Sequence, residues 1–175
     1  MRKARSLSLF AVVGLALTLI CMVGIPGGWA AELSPVTVLR SFLGSSASPS
    51  DGAEPIYGSL TLVGKTTLCG MTKGGGADNN GTIFMFNTTT GKETVLYSFT
   101  GYPDGAHPYG SLTLSGTTLY GMTEYGGAYD CGTIFKVNTN GTGYEVLYSF
   151  AGDPDGDGAW PYGSLTISGK QLFAG

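Results

Sequence analysis

The stretch Asp153-Pro154-Asp155-Gly156-Asp157-Gly158 sets three carboxylates at alternate positions and ends in glycine. Alternate side chains can converge on one hard cation while glycine permits the sharp turn, so Asp153, Asp155 and Asp157 have the spacing of a Ca²⁺ loop. The further acid that such loops add is missing, because Ser164 and Pro161 stand at the two positions that would supply it. An ordinary Asp-Gly turn accounts for the same residues and is the preferred reading. The other side chains suited to binding are aromatic. Tyr102, His107, Tyr125, Tyr129 and Trp160 lie in Gly-rich connecting segments near hydroxyls and carboxylates. Flat rings of this kind stack on the apolar face of a sugar or anchor a protein surface. The alternative is local packing of Trp160 on Pro161.

Reactive chemistry is poorly provided. His107 is the only histidine, and the repeat described below replaces it with Glu54 and Trp160, so nothing marks it as a general base. A zinc cluster needs more His or Cys than the chain offers. Asp153 and Asp155 resemble the paired acids of a glycosidase, but an open Gly-rich loop provides no burial to raise either pKa.

The elements that must position these residues follow from an internal repeat. LCGMT at Leu68 returns as LYGMT at Leu119, GTIF at Gly81 returns at Gly132, and VLYSF at Val95 returns at Val146, each 51 residues on. YGSLT begins at Tyr57, Tyr109 and Tyr162. One period holds four runs with strand alternation separated by turn residues: GSLTLSG, TTLYGMT, GTIFKVNT and YEVLYSF in the middle copy. Ser115-Gly116 and Asn140-Gly141 are hairpin-turn pairs. The third run carries apolar residues on both faces, Ile83 and Met85 against Phe84 and Phe86, as a strand covered on both sides requires.

Four antiparallel strands in a unit too small to bury its own faces describe a propeller blade. The alternatives are a stack of independent hairpins and a β-solenoid, whose coils are usually shorter than this period. The predicted fold is therefore all-β, an incomplete β-propeller. Residues 36–42 (VTVLRSF) form a lone outer strand, 57–99 and 109–150 two blades, and 162–175 the start of a further blade. Two blades close no ring, so the chain reads as a piece of a longer protein. Isolated, residues 31–175 are expected to aggregate or associate, with Phe84, Phe86, Phe135 and Val137 lining the open faces. The two-to-three loops, KGGGADNNG and EYGGAYDCG, and the connections between blades should emerge on one face, where binding usually resides.

Residues 1–30 read as a secretory signal: Arg2, Lys3 and Arg5, an apolar run from Leu9 to Ile25, then Gly28 and Ala30 as small residues before a cut at Ala31. An uncleaved anchor is the alternative. Cleavage removes three of the nine basic residues and none of the twelve acidic ones, leaving a formal charge of minus six that argues against nucleic acid as a partner. No later segment suggests membrane insertion. Cys69 and Cys131 sit at different places in the repeat, which favours two independent thiols over a disulfide.

The phrases LYGMTEYGG, GTIFKVNTNG, EVLYSF and DGAHPYGSL resemble the GloVer tandem repeat of exported bacterial proteins, the choice-of-anchor tandem repeat proteins. Met71 and Met122 depart from that pattern, which favours Thr there. The resemblance covers nearly all of Val36 to Gly175 and implies secretion or cell-surface placement, with no established activity or catalytic residues to carry over. The Gly-Gly after the second strand also looks kelch-like. The expected function is a non-catalytic binding, adhesion or scaffold module that meets carbohydrate or protein at the cell surface. The alternative is a carbohydrate-active enzyme, a lyase or hydrolase, with its acids in blades absent from this chain.

Overall fold

A computed structural model describes residues 37–44, 51–153, 157–169 and 171–174. The signal reading of residues 1–30, Val36 and Asp155 lie outside them. The chain parts into two units, Met1–Leu39 and Arg40–Gly175. Of the first, only residues 37–39 are described, and they carry no regular secondary structure.

The second unit is all-β. Its strands are β1 (Gly52–Ala53), β2 (Thr61–Val63), β3 (Thr67–Thr72), β4 (Gly74–Gly75), β5 (Thr82–Asn87), β6 (Lys92–Ser98), β7 (Ala106–Ser115), β8 (Thr118–Tyr125), β9 (Thr133–Asn138), β10 (Glu145–Ser149), β11 (Leu165–Ser168) and β12 (Gln171–Ala174). β2-β3-β5-β6 and β7-β8-β9-β10 are four-stranded antiparallel meanders, one per copy of the repeat, and β11-β12 is the hairpin that opens a third copy. Gly116 and Gly141 adopt positive φ at the predicted turns. In the fourth strands the register skips Leu96 and Leu147. These bulges break the simple alternation that VLYSF suggests.

The third strands are covered on both sides. Ile83 and Phe84 are both buried although they point to opposite faces, and Phe135 and Val137 are fully buried. Phe135 lies across Gly121 of β8, its directly paired neighbour, where any larger residue would meet the ring and Leu112. Phe99, at the end of the first sheet, caps the second by packing edge-on against Phe135 with centroids 5.3 Å apart. Cys69, Ile83, Phe99, Leu112, Leu119, Phe135 and Val137 thus make one core that runs across two sheets. Phe84, Phe86, Phe135 and Val137 therefore do not line open faces, contrary to the sequence expectation. The exposed apolar side chains are Leu60, just before the first strand, and Leu62 within it instead, because that strand meets the next sheet on one side and no described sheet lies on the other.

Sheets meet at their first strands. Thr61 Oγ1 donates to the Leu112 carbonyl and Thr113 Oγ1 to the Leu165 carbonyl, both at 2.5 Å. The Ser59 amide donates to Ser111 Oγ at 2.8 Å, and the Ser111 amide to Ser164 Oγ at 2.9 Å. A Cβ on Gly58 would overlap the Gly110 carbonyl, and one on Gly110 the Gly163 carbonyl. Only glycine admits this approach.

Residues 37–42 require a correction, since they are not a strand. A strand exists by its partners' hydrogen bonds, and no third strand lies among the described residues to receive this one. Phe42 nonetheless occupies the place of a fourth strand's phenylalanine. Phe42 packs edge-on against Phe84 with centroids 4.8 Å apart, as Phe99 does against Phe135. β7 also starts earlier than predicted, because Ala106 pairs with Tyr125 at the extended end of β8.

Phe135→Ala should therefore destabilise the protein by about 3–5 kcal/mol, since it empties a core shared by two sheets. Urea unfolding of the variant and the parent measures this. A loss below about 1 kcal/mol would mean that the sheets do not share that core.

Candidate functional site

Each connection between repeats is built around one aspartate. Asp104, buried, accepts the Thr100 amide at 3.0 Å, the Thr100 hydroxyl at 3.1 Å and the Tyr97 hydroxyl at 3.0 Å. Asp157 accepts the Ala151 and Gly152 amides at 3.0 Å and the Tyr148 hydroxyl at 2.6 Å. In the first copy Asp51 accepts the Leu43 amide at 3.0 Å, and Arg40 replaces the tyrosine, its Nη2 lying 2.7 Å from Asp51 Oδ2. Arg40 also pairs with Glu93. At Asp157 these donors stabilise the charged form. The Tyr148 hydroxyl and then the Ala151 amide hold Asp157 below the usual carboxylate range. Burial, reinforced by Asp104, pushes the Tyr97 hydroxyl up.

The loops that follow the aspartates are held as well. Gly52 and Ala53 (β1) pair with Gly75 and Gly74 (β4). The His107 amide donates to the Asn80 carbonyl and the Trp160 amide to the Cys131 carbonyl, both at 2.8 Å. Glu54, His107 and Trp160 all take positive φ, a conformation that the surrounding bonds must enforce in residues with a Cβ. Asn79 and Asp130, also at positive φ, accept the Gly75 and Gly126 amides. The loops between strands two and three are therefore tied to the inter-repeat connections at one end of the sheets.

The predicted binding residues divide on this surface. His107 and Tyr125 come together, ring centroids 5.9 Å apart and nearly perpendicular, with His107 Nδ1 3.0 Å from the Lys73 carbonyl oxygen. Tyr102, Tyr129 and Trp160 stand apart as single side chains, 73 %, 63 % and 50 % exposed. Of the predicted cation ligands, Asp157 is engaged as described, and Asp155 lies outside the described residues. Among those residues, no three His, Cys, Asp or Glu are placed to hold a metal.

A second cluster, which sequence reasoning missed, sits beside His107. Lys73 Nζ lies 3.0 Å from Glu124 Oε2, and the Tyr162 hydroxyl donates to Glu124 Oε1 at 2.8 Å. Tyr57 stacks on Tyr109 at 4.2 Å, and Tyr109 meets Tyr162 edge-on at 4.7 Å. The Lys73 ammonium lies 5.3 Å from the Tyr57 ring centroid. One tyrosine per repeat thus forms a column along the sheet-to-sheet seam, with an ion pair at its flank. Burial pulls the Glu124 carboxyl up, but the Tyr162 hydroxyl and the Lys73 ammonium outweigh it and hold the group below its usual range. Glu124 in turn raises Lys73. The signal was present: Lys73 and Glu124 occupy the same repeat position with opposite charge.

With this geometry in place, the repeat can be assigned. The Gloeobacter/Verrucomicrobia repeat matches residues 27–175. The chain belongs to that family. The GloVer resemblance read from LYGMT, GTIF and VLYSF is thereby shown, and those phrases supply strands two, three and four and most of the shared core. No curated protein and no solved structure matches the chain. In this GloVer chain both Cys69 and Cys131 are free thiols. Burial pushes the Cys69 thiol up to about 11, whereas Cys131 is half-buried, its thiol donating to the Tyr129 carbonyl.

Two outcomes follow. Because the folded pKa of Glu124 is depressed, its contribution to stability is present above the ordinary carboxylate range and lost as pH falls through the depressed value. Melting the parent and Glu124→Gln from neutral pH down to about pH 3 should show the parent's advantage vanish in acid. An advantage independent of pH would remove the charge from the account. Separately, iodoacetamide at about pH 8 should label Cys131 and spare Cys69 in the folded protein, since only the thiolate reacts. Peptide mapping reads this directly, and equal labelling would contradict the burial of Cys69.

Proposed function

We propose that this GloVer chain is an exported, non-catalytic repeat module whose loop face binds a carbohydrate or protein at the cell surface. The observation that carries the reading is the set of exposed rings at one end of the sheets. Tyr102, Tyr129 and Trp160 project from loops whose backbones are fixed, so little conformational entropy is lost when they meet a partner. Asp51, Asp104 and Asp157 each accept structural hydrogen bonds, which suits recognition better than proton transfer. Export rests on the signal-like residues 1–30. Propeller packing of the sheets is part of the proposal and is supported by the first-strand contacts, which repeat from each sheet to the next.

Binding of the exported protein to a panel of immobilised bacterial and plant polysaccharides, and to intact bacterial cells, tests the loop face. The triple variant Tyr102→Ala, Tyr129→Ala, Trp160→Ala should weaken binding by at least about tenfold, roughly 1.4 kcal/mol, with an unchanged melting temperature because all three side chains are exposed. Undiminished binding would move the partner to another surface. N-terminal sequencing of the exported product should begin at Ala31.

A further inference from the structure

We infer that each seam between repeats is a subsite for a neutral polysaccharide, formed by the residue before the proline of the inter-repeat connection and by a residue of the preceding sheet's loop between strands two and three. This rests on the loop-face reading above and gives it a ligand class and its subsites. Glu54, His107 and Trp160 hold the same place in the repeat, before Pro55, Pro108 and Pro161, and take φ of 58°, 53° and 52°. Positive φ is costly for a residue with a Cβ, and a following proline favours extended backbone. Glycine takes positive φ throughout these loops and would relieve the cost here too. Asn79 and Asp130, also at positive φ, use their side chains on the Gly75 and Gly126 amides. At the place before the proline the side chain is instead an acid, an imidazole and an indole in turn. Strain held in common under side chains that differ marks a functional position.

The same place is rigid. The His107 and Trp160 amides each donate to a carbonyl of the preceding loop, Asn80 and Cys131, at 2.8 Å. Pro108 and Pro161 press so close on Gly81 and Gly132 that a Cβ there would lie 2.6 Å from the proline Cδ. Two residues before Asn80 and Cys131 stand Asp78 and Tyr129, equivalent in the repeat and both exposed. The two loops of a seam therefore change character together. One seam offers Asp78 and His107, and the next offers Tyr129 and Trp160, single side chains on hydrogen-bonded loops.

This division suits two neighbouring sugars. The His107 Nδ1 lies 3.0 Å from the Lys73 carbonyl oxygen, which can only accept, so Nδ1 carries a proton and Nε2 of the neutral ring is an acceptor. With the Asp78 carboxylate it can take hydrogen bonds from sugar hydroxyls. Tyr129 and Trp160 supply flat faces on which a sugar ring stacks. Charge selects the neutral class. Glu54, Asp78, Asp130 and Asp153 are exposed in these loops. Among the described residues Lys73 is engaged by Glu124, and Arg40 by Asp51 and Glu93. A polyanion meets repulsion on such a face.

The test uses the full chain exported from a bacterial host, run by affinity electrophoresis through gels holding a neutral β-glucan, a neutral mannan or the polyanion alginate. At least one neutral polymer should retard the parent, and alginate should not. Tyr129→Ala with Trp160→Gly, and Asp78→Ala with His107→Gly, should each weaken that retardation at least about tenfold. Should the second pair fail to fold, Asp78→Ala alone serves, its side chain being exposed. Trp160→Gly should melt at or above the parent, because glycine relieves the positive φ; a merely structural tryptophan would lower the melting temperature instead. Retardation by alginate, undiminished binding in either pair, or a lower melting temperature for Trp160→Gly overturns the inference. Binding only to intact cells, abolished when the cells are treated with protease, overturns it too but leaves the loop-face reading standing. Binding to no polymer and no cell removes both.

Discussion

The structure depends on how closely two first strands can approach. The Gly58, Gly110 and Gly163 backbones nearly touch in sequence, and only at that distance can a threonine hydroxyl reach across to the next sheet's carbonyl. Everything beyond the seam follows from it. The approach brings Phe99 over Phe135, stacks Tyr57 on Tyr109, and places Lys73 within reach of Glu124. A sheet of this size has two faces to bury and cannot bury either alone. The seam is what converts neighbouring sheets into a shared interior.

Much of this was legible in the residues. The period, the four strands of each copy and the hairpin turns could be read because alternation and Gly placement report local backbone geometry directly. The two-faced apolar character of GTIFMFNT correctly announced a strand covered on both sides. Which face would be bare was misread. Phe84 has a cover because Phe42 reaches it, and a tertiary contact from a segment outside any ladder leaves no trace in local pattern.

The candidate site was legible in part. Aromatic residues in loops can be listed from sequence, and His107 and Tyr125 do meet. The role of the aspartates was not visible in the same way, since Asp153, Asp155 and Asp157 share a cation loop's spacing with an ordinary turn. In the structure Asp157 is engaged by two amides and a tyrosine hydroxyl, the bonds of a turn aspartate, while Asp155 lies outside the described residues. The repeat held a clue to it. Wherever an Asp precedes Gly-Ala, a donor stands two residues before the preceding phenylalanine, as Arg40, Tyr97 or Tyr148. Arginine in place of tyrosine keeps the hydrogen bond and adds a charge, so the first copy reaches the same loop by a different chemistry.

Near-identical units in one chain carry an inherent ambiguity, because a sheet that is still forming can accept the wrong sibling as its neighbour. Lys73 and Glu124 bear on that ambiguity. They hold one position in consecutive copies, and the seam sets them 3.0 Å apart. A first sheet laid against another first sheet brings ammonium to ammonium, and two second sheets bring carboxylate to carboxylate beside the tyrosine column. The pair therefore works as a polarity mark, distinguishing successor from duplicate in a protein whose hydrophobic contacts are nearly the same in every copy. Divergence at this site lets a tandem array keep its order while the strand framework stays alike.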